Sequence, residues 1–140
     1  MAKRQTTGAL EGKLGIEILK SSINEVVGRM PVPGNTVAIG RLHGGATMAL
    51  GETLGSLAAD LHAQAIGRRA VGLDINGTHH ATPRTDHVVG RAVPLHLGRR
   101  VTTHEVTVAD GDGRLVATIR ITNMLLEPAS EEGGQTASAG

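Results

Sequence analysis

The chain has 140 residues and a formal net charge of +1, and its apolar residues are all aliphatic because it contains no Phe, Trp or Tyr. This length suits one domain with a sizeable core. The missing aromatic side chains argue against a single-stranded nucleic-acid site, and the absence of cysteine excludes disulfides, a thiolate nucleophile and cysteine-bound zinc. No apolar run could span a bilayer and the first residues lack a signal-peptide core, so we expect a cytoplasmic protein without membrane or nucleic-acid partners.

The N-terminal part predicts a flexible end followed by two strands. Residues 1–12 are polar and rich in Gly and Thr, so we expect them to be frayed. Residues 14–18 alternate between apolar and polar or small side chains, which indicates a strand, and residues 25–30 form a second strand after a turn at 21–24. Residues 31–35 contain two prolines and a glycine, which is typical of a loop.

One long helix is predicted over residues 41–64, where alanine and leucine dominate and no proline intervenes. Apolar or small residues at helical spacing predict a buried stripe of Ala46, Ala49, Leu50, Thr53, Leu54, Leu57, Ala58 and Leu61. The opposite face consists of Gly45, Met48, Glu52, Gly55, Ser56 and Ala59. Because a solvated face would carry several charges and this one carries only Glu52, we expect a partner chain to cover it.

Four more strands are predicted after the helix, at residues 71–76, 87–95, 101–109 and 115–122, with Pro94 at or just before the end of the second of them. In the last strand, Leu115, Ala117, Ile119 and Ile121 should share one face. The sequence Asp110-Gly111-Asp112-Gly113 is a strong hairpin signal, and residues 129–140 are expected to be a disordered tail. Short turns imply an antiparallel sheet, and the long helix is the only candidate to cover it. The sequence thus predicts an α+β fold, a curled sheet wrapped around one central helix.

Four motifs occur in order along the chain. They are Leu42-His43-Gly44-Gly45-Ala46, Leu50-Gly51-Glu52-Thr53-Leu54-Gly55-Ser56, Val71-Gly72-Leu73-Asp74-Ile75-Asn76-Gly77-Thr78-His79-His80 and Pro94-Leu95-His96-Leu97-Gly98-Arg99. With them, residues 14–127 resemble the hotdog-fold acyl-CoA thioesterases. The nearest branch is the PaaI-like one, with the 4-hydroxybenzoyl-CoA thioesterase of the Arthrobacter type, the 1,4-dihydroxy-2-naphthoyl-CoA thioesterase and the proofreading thioesterase of enterobactin synthesis.

This resemblance implies a hotdog domain over residues 13–128 that hydrolyses an acyl-CoA thioester to a free acid and CoA. Coenzyme A is then part of the substrate, and neither a cofactor nor a metal is expected. The resemblance also implies a homo-oligomer, a dimer or tetramer with active sites at the dimer interface. The acyl group is left open, since an aromatic group fits the resemblance and a broad or aliphatic pocket fits the composition.

The resemblance assigns five catalytic positions. Glu52 corresponds to the nucleophile or general base, and Gly44 corresponds to the oxyanion donor at the helix start. His43 would help to place the thioester carbonyl, Ser56 would hold the hydrolytic water, and His79 would come from a neighbouring subunit. Elementary chemistry agrees with the role of Gly44 as oxyanion donor, because free backbone amides at the positive end of a helix stabilise a developing oxyanion.

The candidate residues for binding the substrate or CoA are Gly45, His80, Arg84, His96, Gly98, Arg99 and Arg100. Arg99 and Arg100 follow a tight glycine turn, where guanidinium groups could hold phosphates or simply form an exposed basic loop. For His80, His96 and Ser56, structural and functional roles are equally open. We expect His62, His87 and His104 to be ordinary surface or half-buried histidines.

Two positions depart from the family pattern. Val37 stands where a glutamine often touches the thioester, and Ala81 stands where an arginine often follows the His-His pair. These departures keep open a non-catalytic module that binds acyl-CoA. A hotdog dehydratase or hydratase is the least favoured alternative, because that branch carries a different arrangement of histidine and acid.

Overall fold

The computed structural model describes residues 8–128 as one six-stranded sheet with a long helix on one face. The strands are β1 (Glu17–Ser21), β2 (Val26–Pro31), β3 (Arg69–His79), β4 (His87–Leu97), β5 (Val101–Asp110) and β6 (Leu115–Leu126), and the helices are α1 (Ala9–Leu14) and α2 (Gly44–Ala65). The sheet order is β1-β2-β4-β5-β6-β3, and all neighbouring strands are antiparallel. This architecture confirms the predicted α+β fold. Neither described helix is long and apolar enough to cross a membrane.

Glycines let α2 approach the sheet closely. A Cβ atom on Gly51 would lie 2.6 Å from Cδ1 of Ile119, and one on Gly55 would overlap Cγ2 of Ile121. Both isoleucines lie on β6 and are almost fully buried. Because no larger residue fits at either position, the two glycines bring the helix backbone onto this strand.

A second pair of glycines receives a side chain from the helix. Gly28 on β2 and Gly90 on β4 are directly opposite each other in the sheet. A Cβ atom on Gly90 would lie 2.6 Å from Cδ1 of Leu54, and one on Gly28 would be as close to Cδ2 of the same side chain. Leu54 is fully buried in the notch that Gly28 and Gly90 leave in the sheet surface, and this contact fixes where α2 lies along the sheet.

The buried face of α2 is rotated relative to the predicted stripe. Ala46, Leu50, Leu54 and Ala58 are buried as expected, whereas Ala49, Thr53, Leu57 and Leu61 are only half-buried. Gly55 and Ala59 lie in the core instead of on the opposite face, because the helix rests on β6 through its small residues. The remaining face has Gly45 and Glu52 exposed and Met48 and Ser56 half-buried.

The N-terminal segment is more ordered than the sequence suggested. Residues 9–14 form α1, in which the carboxylate of Glu11 accepts a hydrogen bond from the N–H of Gly8. Gly15 ends this helix with a left-handed φ of 76°. The expectation of a frayed end is therefore wrong for residues 8–12. Residues 1–7 and the predicted tail at 129–140 lie outside the described part of the chain.

Three strand details also differ from the prediction. β1 covers residues 17–21 instead of 14–18, because Leu14 is the last residue of α1 and Gly15 ends that helix. β4 continues through Pro94 to Leu97, because the register shifts between Pro94 and His96 and the strand needs no regular hydrogen bond from the proline. In β6, Val116 is buried and Leu115 is exposed, since the pairing of β5 with β6 shifts by one residue at Val108 and Ala109. Each shift moves neighbouring side chains to the other face of the sheet.

β3 is the long strand at one edge of the sheet. It has 11 residues and pairs with β6 on one side only, and none of its residues is buried. Within residues 8–128, the other long strands are paired on both sides. An unpaired edge of this length is ready to pair with another chain.

Replacing Gly55 by alanine should lower the free energy of unfolding by about 2–3 kcal/mol, because the new methyl group overlaps Ile121. The matched control is Gly12→Ala, whose Cβ would meet no atom within 4 Å. Urea unfolding of both variants measures the difference. Equal stability of Gly55→Ala and the control would contradict the packing of α2 on β6.

Candidate active site

The start of α2 leaves one backbone amide free. His43 is the N-cap residue, and its Nδ1 accepts a hydrogen bond of 2.8 Å from the N–H of Gly45. The backbone N–H groups of Ala46 and Thr47 donate to the carbonyl of His43. The N–H of Gly44 makes no hydrogen bond within residues 8–128. This amide, at the positive end of the helix, is available to a ligand.

A cleft of about 400 Å³ opens at this helix start. Its lining residues come from the segment before α2, the first turn of α2, the end of β3 with the segment that follows it, and the start of β6: Arg41, Leu42, Gly44, Thr47, His79, His80, Ala81, Thr82, Pro83 and Val116. These residues include one permanent cation and two histidines but no carboxylate. The cleft is therefore suited to a ligand that carries or develops negative charge.

The two adjacent histidines border the cleft from different sides. A Cβ atom on Gly44 would lie 3.0 Å from Nε2 of His79, so this ring packs directly against the helix start. The ring of His80 shares a hydrogen bond of 3.0 Å with the hydroxyl of Thr118. β3 ends at His79, so His80 belongs to the segment that follows the strand.

Glu52 lies outside the cleft. It is two turns, about 12 Å along the helix axis, beyond Gly44, and a Cβ atom on Gly72 of β3 would lie 3.5 Å from its Oε1. The side chain is exposed and forms no ion pair within residues 8–128. Ser56 follows one turn later and is half-buried on the same helix face.

The chain thus divides the predicted catalytic residues into two groups. His43, Gly44 and His79 meet at the helix start, together with the candidate binding residues Gly45 and His80. Glu52 and Ser56 lie at the other end of β3, beside Gly72. Within one chain, the acid and the free amide cannot both touch the same carbonyl group.

The basic residues predicted to bind CoA also lie in two separate places, one beside the cleft and one at the opposite end of the sheet. Arg84 follows the cleft residue Pro83, and its N–H donates a hydrogen bond of 3.0 Å to Oδ2 of Asp110. That bond, with those from the N–H groups of Arg114 and Asp112, keeps the pKa of the Asp110 carboxyl below its usual value. The carboxylate therefore fixes the backbone at Arg84 beside the cleft.

His96, Gly98, Arg99 and Arg100 lie at the far end of the molecule. The ring of His62, near the end of α2, shares a hydrogen bond of 2.8 Å with the carbonyl of Gly98. His62 is 18 residues, about 27 Å, beyond Gly44 on the helix. Thr102, close to Arg100 in the chain, lies in one cross-strand row with Asn123 and Gly72. The far basic loop is therefore at the Glu52 end of the sheet.

Several cleft residues were not predicted as site residues, and Arg41 is the charged one among them. Arg41 lines the cleft, and its carbonyl accepts a hydrogen bond from the N–H of Val37 in a small hairpin stabilised by pairing of Thr36 with Leu42. Its position directly before the Leu-His-Gly-Gly motif was the available signal. No group of three or more His, Cys, Asp or Glu residues suited to a metal is found within residues 8–128.

Residues 39–117 match the thioesterase superfamily. The chain belongs to that superfamily. The chain is 40% identical to the proofreading thioesterase EntH of Klebsiella pneumoniae over 114 aligned residues. The alignment covers 81% of this chain and 82% of that protein. These findings confirm the hotdog fold and the thioesterase family, whereas the finer branch within the family stays a prediction.

Two solved structures of thioesterases share this fold. One from Haemophilus influenzae superposes with a TM-score of 0.81 at 30% identity, covering 94% of this chain and 99% of that one. One from Staphylococcus aureus has a TM-score of 0.79 at 26% identity, covering 86% of this chain and all of that one. The Staphylococcus protein has been solved as a glutamine-to-alanine variant and as a glutamate-to-alanine variant.

Replacing His43 by alanine should destabilise the protein by about 1 kcal/mol, because the N–H of Gly45 loses its capping acceptor. His43→Asn is the matched control, since asparagine caps helices well and should retain most of the stability. Thermal unfolding of the two variants at the same protein concentration measures the effect. A His43→Ala variant as stable as His43→Asn would show that the ring nitrogen does not hold the helix start.

Proposed function

We propose that this thioesterase-family chain hydrolyses acyl-CoA thioesters, with the Glu52 carboxylate as general base or nucleophile and the N–H of Gly44 as the oxyanion donor. The observation that carries the proposal is the unpaired amide of Gly44, which opens into a cleft without carboxylates. Membership of the thioesterase superfamily supports the same reaction.

The reaction balances with these groups alone. In one route, the carboxylate of Glu52 takes a proton from water while the water oxygen attacks the thioester carbon. The carbonyl oxygen becomes an oxyanion and accepts a hydrogen bond from Gly44, and the C–S bond then breaks to release the thiolate of CoA, which is protonated. In the other route, the carboxylate attacks the thioester carbon and the C–S bond breaks to release the thiolate of CoA. Water then hydrolyses the mixed anhydride, which gives the free acid and regenerates the Glu52 carboxylate. Both routes give a free acid and CoA.

We propose further that two copies of the chain build each site. The geometry that supports this is the separation of Glu52, beside Gly72, from Gly44, beside His79, at opposite ends of the unpaired edge strand β3. Antiparallel pairing of two β3 strands about a two-fold axis near Asn76 would set the Gly72 end of one strand beside the His79 end of the other. Each Glu52 would then face the Gly44 amide of the second copy.

The exposed face of α2 supports the same arrangement. Glu52 lies against Gly72 of β3, Met48 lies against Gly77 at the margin of the core, and Ser56 is half-buried. A Cβ atom on Gly77 would lie 2.7 Å from Sδ of Met48, so Met48 lies against β3 next to the proposed axis. A second copy would cover this face and would form an aliphatic acyl pocket between the two helices.

The Staphylococcus thioesterase gives independent support for Glu52. Its exchanged glutamine and glutamate are separated in sequence by the same number of residues as Val37 and Glu52. By this spacing, Glu52 corresponds to the exchanged glutamate, and Val37 corresponds to the exchanged glutamine. Valine cannot donate a hydrogen bond from its side chain, so we assign carbonyl polarisation in this chain to the Gly44 amide alone.

For CoA, the proposed two-chain site provides basic groups at both ends. Arg41 and Arg84 lie at the cleft of one copy. Arg99 and Arg100 lie at the Gly72 end of the sheet, which the proposed pairing turns toward the cleft of the other copy. We propose that these arginines bind the phosphates of CoA, because a guanidinium group matches phosphate geometry.

Glu52→Gln should lower kcat on cleaved acyl-CoA thioesters by at least about 100-fold, because the amide can neither accept the proton nor attack the carbonyl. Glu105→Gln is the matched control, since Glu105 lies on β5 between buried neighbours whose side chains face α2 and therefore points away from the helix. Cleavage is followed by thiol capture across aromatic and straight-chain acyl-CoAs.

The same panel of acyl-CoA substrates also distinguishes a catalytic thioesterase from a non-catalytic module that binds acyl-CoA. Full activity of Glu52→Gln would contradict the role of Glu52. Tight binding of acyl-CoA by the wild type with no turnover on any member of the panel would favour the non-catalytic module, in which Val37 has replaced a polar group.

A further inference from the structure

Three polar residues lie together on the buried face of the sheet, away from the cleft. Thr102 and His104 are two residues apart on β5 and face α2, and Asn123 on β6 is directly opposite Thr102. Thr102 and His104 are fully buried, and Asn123 is 2% exposed. The expectation that His104 is a surface or half-buried histidine is therefore wrong.

These residues place four polar atoms in the core without partners. Oγ1 of Thr102, both ring nitrogens of His104 and Oδ1 of Asn123 make no hydrogen bond within residues 8–128. Buried polar atoms in native proteins almost always have a partner, which is often an ordered water molecule. Four such atoms on neighbouring positions mark a site that a small polar ligand completes.

The chemistry of the four atoms selects the ligand. A hydroxyl both donates and accepts, the amide oxygen accepts, and a neutral imidazole donates from one nitrogen and accepts at the other. An anion would need donors only, and a metal cation would need acceptors only. A neutral molecule that donates and accepts equally well fits best, and water is the smallest one.

We propose that Thr102, His104 and Asn123 bind ordered water beneath the C-terminal half of α2, and that protonation of His104 loosens this half of the helix from the sheet. The helix residues that cover this region are small, with Ala58, Ala59 and Ala63 all buried. The chain also has no aromatic side chain that could occupy this place.

The surroundings of His104 explain its sensitivity to protons. Its cross-strand neighbours are Pro94 on β4 and Ile121 on β6, which carry no charge, and the titratable group that faces it from α2 is His62. Burial, and then the nearby His62, lower the pKa of His104 from 6.5 to about 4. A proton on His104 would thus be buried beside His62, without a compensating carboxylate among these neighbours.

The sign of the effect follows from this lowered pKa. The unfolded chain binds a proton at His104 near pH 6.5, whereas the folded chain binds it only near pH 4. The neutral histidine therefore gives its full contribution to stability above pH 6.5, and this contribution is lost as the pH falls toward 4. Between about pH 7.5 and about pH 5, the loss corresponds to roughly a 30-fold fall in the folding equilibrium constant.

Detachment of the C-terminal half of α2 from the sheet would affect the proposed active site through one cross-strand row of residues. Asn123 and Thr102 share a cross-strand row with Gly72, the residue beneath Glu52. The helix that covers the polar site also carries Glu52 and Ser56. The inference itself does not depend on thioester hydrolysis, because its readouts are stability and proton binding.

The first experiment compares urea unfolding of the wild type and His104→Gln at about pH 7.5 and about pH 5, at one protein concentration. Glutamine can bind the same water but does not titrate. The acid-induced fall in the folding equilibrium constant should be roughly 30-fold larger in the wild type than in His104→Gln. Equal falls in both proteins would overturn the proposal.

Two measurements on the wild type keep the test independent of that variant. NMR titration of the imidazole signals should show His104 still neutral at about pH 5, where an unperturbed histidine is mostly charged. A high-resolution crystal structure should show water within hydrogen-bond distance of Thr102 Oγ1, His104 and Asn123 Oδ1. A charged His104 at that pH, or direct bonds among the three side chains with no water, would contradict the proposal.

Discussion

The close approach of α2 to β6 determines most of this structure. Gly51 and Gly55 rest directly on Ile119 and Ile121, and no other residue type fits at those positions without displacing an isoleucine. A chain without aromatic side chains can fill its core by bringing backbone close to backbone, and glycine is the residue that permits it. The notch that Gly28 and Gly90 form for Leu54 then fixes the helix along the sheet. These contacts position the helix start against His79 and place Glu52 over Gly72.

Much of the fold follows from local sequence patterns. The long helix, the alternating strands and the Asp-Gly hairpin depend on short-range signals, and the structure contains all of them. The first strand begins three residues later than predicted, because α1 occupies residues 9–14. The rotation of the helix face was not predictable in the same way, because Gly55 and Ala59 look like a solvent face until β6 lies beneath them. Pro94 was expected to end a strand, and a register shift that depends on β5 allowed the strand to continue.

The candidate site shows a similar division. The motif around His43 and Gly44 identified the helix start correctly, because a histidine cap and a free glycine amide are local features. The spacing of eight residues already places Glu52 about 12 Å beyond Gly44 on a helix. The contact of Glu52 with Gly72 was not predictable, because it depends on how α2 lies on the sheet. The buried His104 was also missed. Asn123, the polar residue opposite Thr102, lies on a neighbouring strand, and no spacing along the chain reveals that placement.

The central claim is that each catalytic site combines Glu52 of one copy with the Gly44 amide of another. Gly44→Pro removes this amide at a helix position where proline is well tolerated, and Gly44→Ala retains the amide as its control. Mixed dimers of one Glu52→Gln chain and one Gly44→Pro chain, purified through two different tags, would contain one intact and one doubly altered site. The account predicts about half of the wild-type thioesterase activity in the mixed dimer and very little in either single-variant dimer. A mixed dimer as inactive as both parents, or a wild type that light scattering shows to be monomeric and active, would contradict it.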